Sequence, residues 1–272
     1  MNTTTITRDL ATRSERSHPL VQTIRDTWLI FHRSLWLTIR QPTWIIFGMM
    51  LPLLYLFLFG PLLEGATKAA GTSTNAFNWF VPGLIIQIAI FGTAFGGFGL
   101  IAEMRSGVLE RMRVTPMSRT AMLLGRSLRD VVILVLQALL LIILAIPLGL
   151  KVDPMGVVVA LGLLVLIGLV SSPLSYSAAL VLKSEDAFAP LVNAVAMPLL
   201  LLSGILLPMA LAPEWLKFLS TLNPLTHGVD AARALFNGAW GSPEIPIGVG
   251  ITAVLAVFSV WLAARTFSRL NS

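Results

Sequence analysis

Few side chains in this sequence are arranged as a reactive centre would need. Serines 171, 172, 175 and 177 gather with Tyr176 in SSPLSYS, but no His and Asp stand with them in a nucleophile pattern, and GxSxG is absent. A hydroxyl with no base at hand is a weak nucleophile. His18, His32 and His227 lie far apart, and none has the His/Glu spacing that ligates zinc. Cysteine is absent, which excludes disulfides, thiolate metal sites and a cysteine nucleophile. No GxxxxGK(S/T) loop is present to cradle a nucleotide. Gly92, Gly96, Gly97 and Gly99 superficially resemble a glycine-rich phosphate loop, yet they fall inside an uncharged apolar run. The spacing of Gly92 and Gly96 lets two helices approach closely, and packing is the reading preferred for them.

Charge is the stronger signal. From Glu103 to Asp130 the chain reads EMRSGVLERMRVTPMSRTAMLLGRSLRD, six arginines and three acids between two long apolar runs. Such an island belongs in water. Val108, Leu109 and Met112 make one apolar face while Glu110, Arg111 and Arg113 point elsewhere, which predicts a short amphipathic helix over about 106–115, stopped before Pro116. A loop that only fixes topology needs no apolar face, so the island reads as a docking handle for a soluble partner. Ser118 is placed to cap a further helix running to Leu150, about 48 Å long. The first turns of that helix, with Arg126 and Asp130 an i, i+4 pair, are expected to project beyond the bilayer.

The elements around the island follow from composition. Of 272 residues 56% are hydrophobic and 12% charged, and the mean hydropathy is +0.84. These values exclude an ordinary soluble domain and specify an all-α integral membrane protein. Uncharged runs at Gln41–Leu63, Ala69–Ala102, Val131–Leu150, Pro154–Leu182, Ala187–Pro213 and Ile245–Ala264 each hold the roughly 20 residues that a crossing needs. The second and fifth exceed one crossing, so part of each should bend or lie outside the hydrocarbon. Pro52, Pro82, Pro147, Pro173, Pro190, Pro198 and Pro208 invite kinks in these runs. Residues 1–18 form a polar tail expected to be flexible, and a cleavable signal peptide is not expected.

From Pro19 to Arg40, Val21, Ile24, Trp28, Phe31, Leu35 and Ile39 recur at helical spacing. This predicts an interfacial amphipathic helix resting on lipid, or else on a partner, with Trp28, Phe31 and Leu35 on its apolar side. The whole chain, 1–272, reads as one domain, with the six-helix membrane part over 41–267. Net charge is +6, but no basic and aromatic face stands outside the spans, so nucleic acid is not a partner. The basic residues instead set orientation. With the amino terminus inside, fifteen of them face the cytoplasm and only Lys68, Lys151, Lys217 and Arg233 face out, so both termini are expected in the cytoplasm.

Residues 213–238 are too oily for an ordinary loop and too short for a span. They read as two short extracellular or re-entrant helices split at Asn223–Pro224, with Asp230 and Arg233 spaced for a structural salt bridge. Within the spans, Ser172, Ser175, Tyr176, Asn193 and Ser203 carry two readings. Their polar groups bond back to their own or a neighbouring helix, or they give a mildly polar lining to a translocation path.

The run SGVLERMRVTPMSRTAMLLGR, Ser106 to Arg126, resembles the first cytoplasmic loop of the ABC-2 type permeases. LSGILLPMALAPEWLKFLSTLNPLTHGVDAARALFNG, Leu202 to Gly238, is similar to the fifth span and extracellular helices of that family, with Pro213–Leu216 as its Pro-x-Trp-Leu element. Short size and these motifs look most like the daunorubicin-exporter permease branch. The resemblance implies the ABC-2, type V exporter fold and a transport subunit rather than an enzyme. It also implies a homodimer of permeases with two copies of an ATP-binding subunit, in a bacterial inner or plasma membrane. ATP and Mg would sit on that partner, with no cofactor bound by this chain. Val108, Leu109, Glu110, Arg111 and Met112 would make the contact that couples ATPase to permease. The cargo implied is a lipophilic or amphipathic small molecule, such as a drug, antibiotic or lipid. Export of a cell-envelope glycan or lipid-linked polymer is the alternative within the class, and a membrane-embedded lipid-modifying enzyme the alternative outside it.

Overall fold

A computed structural model describes residues 19–40, 42–69, 75–108, 119–206, 209 and 212–269, and all the regular structure among them is helical. We label the helices α1 (Pro19–Arg40), α2 (Thr43–Ala69), α3 (Ala76–Ala94), α4 (Gly96–Arg105), α5 (Arg119–Ala145), α6 (Pro154–Leu182), α7 (Glu185–Leu202), α8 (Glu214–Leu222), α9 (Pro224–Phe236) and α10 (Glu244–Arg269). Six stretches are long and apolar enough to cross a membrane: Ile45–Gly65, Ala76–Arg105, Thr120–Leu148, Pro154–Leu182, Glu185–Leu202 and Glu244–Phe267. They alternate in direction. One end of the bundle gathers Arg105, Arg126 and Glu185 through ion pairs, and the opposite end gathers Asn78, Lys151 and Asn237 through hydrogen bonds.

Local chemistry starts several of these helices. Asn75 accepts from the Phe77 N–H at 3.0 Å to cap α3, and donates through Nδ2 to the Gly149 carbonyl at 2.7 Å, tying two turns together. Asp153 caps α6 by accepting from the Gly156 N–H at 3.0 Å, with Pro154 at the first helical position, where its missing donor costs nothing. Asn223 does the same for α9 ahead of Pro224.

α3 is the middle of the bundle. It packs against α2, α5, α6 and α9, and Phe77, Phe80, Leu84 and Ile88 meet Leu134, Leu141, Leu163, Ile167 and Leu235 in one core. Since lipid is as apolar as leucine, close fit and polar contacts rather than escape from water hold such helices together. Gly125 shows the fit. A Cβ there would lie 2.8 Å from both Ile30 Cβ and the Thr27 carbonyl, so only glycine lets α1 lie against α5.

The long runs resolve as their lengths require. The second span breaks at Phe95 into α3 and α4, and the fifth ends at Leu202, followed by a turn in which Gly204 has φ +71°. The helix expected to reach Leu150 stops at Ala145 and tightens into a 3₁₀ turn over Ile146–Leu148, where Pro147 withholds a backbone donor. Two short helices split at Asn223–Pro224 occupy the segment before the sixth span. α1 has the bounds read from its periodicity, but its contacts with α5 run through Thr27, Ile30 and Thr38, while Val21, Ile24, Trp28 and Ile39 are exposed.

Candidate functional site

The arginine-rich end of the bundle holds a network assembled from four helices. On α5, Arg126, Ser127, Arg129 and Asp130 are within one turn and a half of each other, so a single helix face cannot present them all to the same neighbour. Arg126 turns to α4, where its Nη2 donates to Glu103 Oε2. Arg129 turns the other way: Nη1 donates to Thr38 Oγ1 on α1 at 2.9 Å, and Nη2 donates to Tyr176 Oη on α6 at 3.0 Å. The same Nη2 is 2.9 Å from Asp130 Oδ1. Asp130 Oδ2 accepts from Tyr176 Oη at 2.5 Å and from Ser172 Oγ at 2.6 Å.

Burial makes this network consequential. The side chains of Arg126 and Asp130 are only 5% and 8% exposed. An unpaired ion there would be costly, but two arginines meet two carboxylates and the charge sums to zero. Hydroxyls then fill the remaining acceptor positions on Asp130. In this arrangement Ser172 and Tyr176 both donate to a carboxylate that is itself paired with arginine. What it does is mechanical, tying α1, α4, α5 and α6 to one another beside the connection that follows Arg105. The expectation that Arg126 and Asp130 pair with each other in water is corrected here. They pair apart and inside the protein, because each finds a partner on a different neighbouring helix.

Next to this network the second span is broken. Ser175 on α6 donates to the Ala94 carbonyl and accepts from the Gly97 N–H at 2.9 Å. A Cβ at Gly97 would lie 2.4 Å from Phe188 Cζ on α7, so α4, α6 and α7 meet there with no room to spare.

Of the residues read as a candidate path lining, Ser172, Ser175, Tyr176 and Ser203 are buried within the protomer, and Ser203 Oγ donates back to the Leu200 carbonyl at 2.6 Å. Asn193 is exposed on α7, its Nδ2 donating to the Ala189 carbonyl at 3.0 Å. The structure thus brings Ser172, Ser175 and Tyr176 together and leaves Asn193 and Ser203 apart. Of the coupling residues, Val108 is half-buried just beyond α4, and Leu109, Glu110, Arg111 and Met112 lie outside the described residues. On α1 the Trp28 and Phe31 rings are 5.3 Å apart, and Leu35 is half-buried.

At the opposite end, Arg233 Nη1 is 3.4 Å from Asp230 Oδ1, the spacing read from sequence. Its stronger ties were not legible there. Nη2 donates to the Gly204 carbonyl at 2.7 Å, Nε donates to the Trp79 carbonyl at 3.1 Å, and the guanidinium sits 4.1 Å over the Trp79 ring. Burial pulls the Arg233 pKa down to about 10 against the opposing pull of Asp230, and burial likewise pushes the Asp230 carboxyl up. Arg233 therefore serves as a half-buried tie between α9, the start of α3 and the turn after α7.

Thr38, Glu103 and Trp79 are the participants that sequence reasoning missed. Their partners lie on other helices, 91, 23 and 154 residues away along the chain, and no local spacing marks such pairs. One signal was available: ionisable residues within the ends of apolar helices must find partners.

A family model described as "ABC-2 type transporter" matches residues 25–237. The daunorubicin resistance ABC transporter permease protein DrrB1 of Streptomyces coeruleorubidus is 25% identical over 96% of this chain and 90% of its own length. A protein named as the transport permease ycf38, from Cyanophora paradoxa, is 29% identical over 73% of this chain and 69% of its own. YbhR of Escherichia coli (strain K12), named as a multidrug ABC transporter permease, is 27% identical over 64% of this chain and 50% of its own.

Proposed function

Because this chain belongs to the ABC-2 type transporter family, we propose that it is the membrane subunit of an ATP-driven exporter. Its cargo is a lipophilic or amphipathic small molecule, taken from the cytoplasm or the inner leaflet. The observation that carries this reading is the near end-to-end similarity to a permease named for daunorubicin resistance. The name of YbhR points the same way.

In this reading two copies of the chain form the permease, and two copies of a separate ATP-binding subunit, carrying ATP and Mg, drive it. Both termini and the arginine-rich end face the cytoplasm of a bacterial cell, in keeping with the distribution of basic residues. Val108 to Met112 contact the ATPase, with α1 as the second contact. The network of Glu103, Arg126, Arg129 and Asp130 supports this assignment, because it anchors both ends of the connection that carries those residues. A lining role falls to the exposed face of α7 around Asn193 rather than to the buried hydroxyls.

The test is reconstitution with the ATP-binding partner in inside-out vesicles. ATP-dependent accumulation of daunorubicin or a lipophilic dye is expected, lost when Leu109→Asp and Met112→Asp are combined. No accumulation by the intact complex, or full accumulation by the double variant, would contradict the assignment.

A further inference from the structure

The break in the second span has its own chemistry. In an unbroken helix the Phe98 N–H would reach the Ala94 carbonyl and the Gly97 N–H would reach the Thr93 carbonyl. Here the Phe98 N–H turns back to the Phe95 carbonyl at 3.1 Å, which frees the Ala94 carbonyl and the Gly97 N–H. Freed backbone groups within an apolar bundle are costly unless the protein satisfies them. One atom satisfies both: Ser175 Oγ donates to the first and accepts from the second. Aromatic rings pack around the break as well. Phe91, Phe95 and Phe98 stack in succession, and Phe98 meets Phe188 edge to face at 4.9 Å.

The break lies between the ion-paired end of the second span and the core. α4 carries Glu103, tied to α5, and Arg105, tied 3.2 Å away to Glu185 at the start of α7. α3, beyond the bend, is the centre of the bundle. Motion entering through the connection after α4 passes along this span to α3 through the break between them, beside the parallel route through α5.

We infer that Ser175 is a positioning residue for coupling: by bonding both freed backbone groups across the break at Phe95, it fixes the angle between α4 and α3. The inference rests on the transporter reading for its consequence, but not for its geometry. Removing the hydroxyl leaves the break in place with two buried backbone groups unpaired, and α4 then samples several angles. A push is absorbed rather than passed on.

The experiment uses the full chain with its ATP-binding partner. Ser175→Ala is expected to leave co-purification and ATP hydrolysis within about twofold of wild type while transport per ATP falls about tenfold, the scale set by a lost buried hydrogen bond. Ser175→Cys, which keeps a weak donor and acceptor of similar size, should fall in between, and it carries the test if the alanine variant does not fold. Wild-type coupling in both variants would overturn the inference. Independently of transport, nitroxide labels on Ala102→Cys in α4 and Val158→Cys in α6, both exposed, report the angle in assemblies diluted with unlabelled chain. A narrow distance distribution that broadens on adding Ser175→Ala is expected, and an unchanged distribution overturns the inference even if the complex transports. A broadened distribution in a complex that transports nothing would instead leave the bend as inferred and fault the transporter reading.

Discussion

Arg126 is nearly out of solvent with a single carboxylate at its tip, so its contribution is best read by removing one partner and then both. Glu103→Gln alone strands a buried cation, and Arg126→Met alone strands a half-buried anion. The first should lower stability by about 3 kcal/mol and the second by less, whereas the double variant should recover most of the loss. Thermal unfolding of the purified chain in detergent checks this, and additive losses in the double variant would show that the pair does not act as a pair. At this scale the sequence was least informative. Glu103 and Arg126 could each be recognised as ions close to apolar runs, but spacing along one helix suggested Asp130 as the partner of Arg126. The choice was made by packing, because Tyr176 and Ser172 on α6 offer Asp130 two hydroxyl donors that α5 cannot supply to itself. Likewise Asp230 and Arg233 were legible as neighbours on a turn, and the Trp79 and Gly204 contacts that bury the guanidinium were not.

Elements were far more legible, since the thickness of hydrocarbon sets a minimum length that six uncharged runs meet. The excess length of the second run announced a bend, though only the coordinates place it at Phe95. α1 illustrates both sides. Its periodicity marked its bounds and its oily stripe, but the residues that join it to α5 are Thr27, Ile30 and Thr38, outside that stripe, and the enabling residue is a glycine on the other helix. Gly125→Leu should therefore push α1 off α5 without disturbing the six spans. Limited proteolysis should then cut within 19–40 several times faster than in wild type while the remaining fragment stays intact. Equal cleavage rates would mean that α1 is held by something other than this contact.

For the whole molecule, orientation is the property on which the coupling assignment depends. A chain without cysteine permits a clean measurement. Lys183→Cys, between α6 and α7, and Glu214→Cys, on α8, stand at opposite ends of the bundle, and both positions are exposed. A membrane-impermeant maleimide applied to intact cells should label the second and spare the first. The reverse pattern would put the arginine-rich end outside and detach it from any cytoplasmic ATPase.

The neutrality of the buried network has a consequence for energetics. A membrane potential does work only on charge that crosses the field, about 2.3 kcal/mol per elementary charge at 100 mV. Glu103, Arg126, Arg129 and Asp130 travel as two positive and two negative charges, so a shared shift of these four side chains moves no net charge. Voltage has nothing to grip in this joint. A cell whose membrane has been depolarised would leave this part of the device as ready to turn as before.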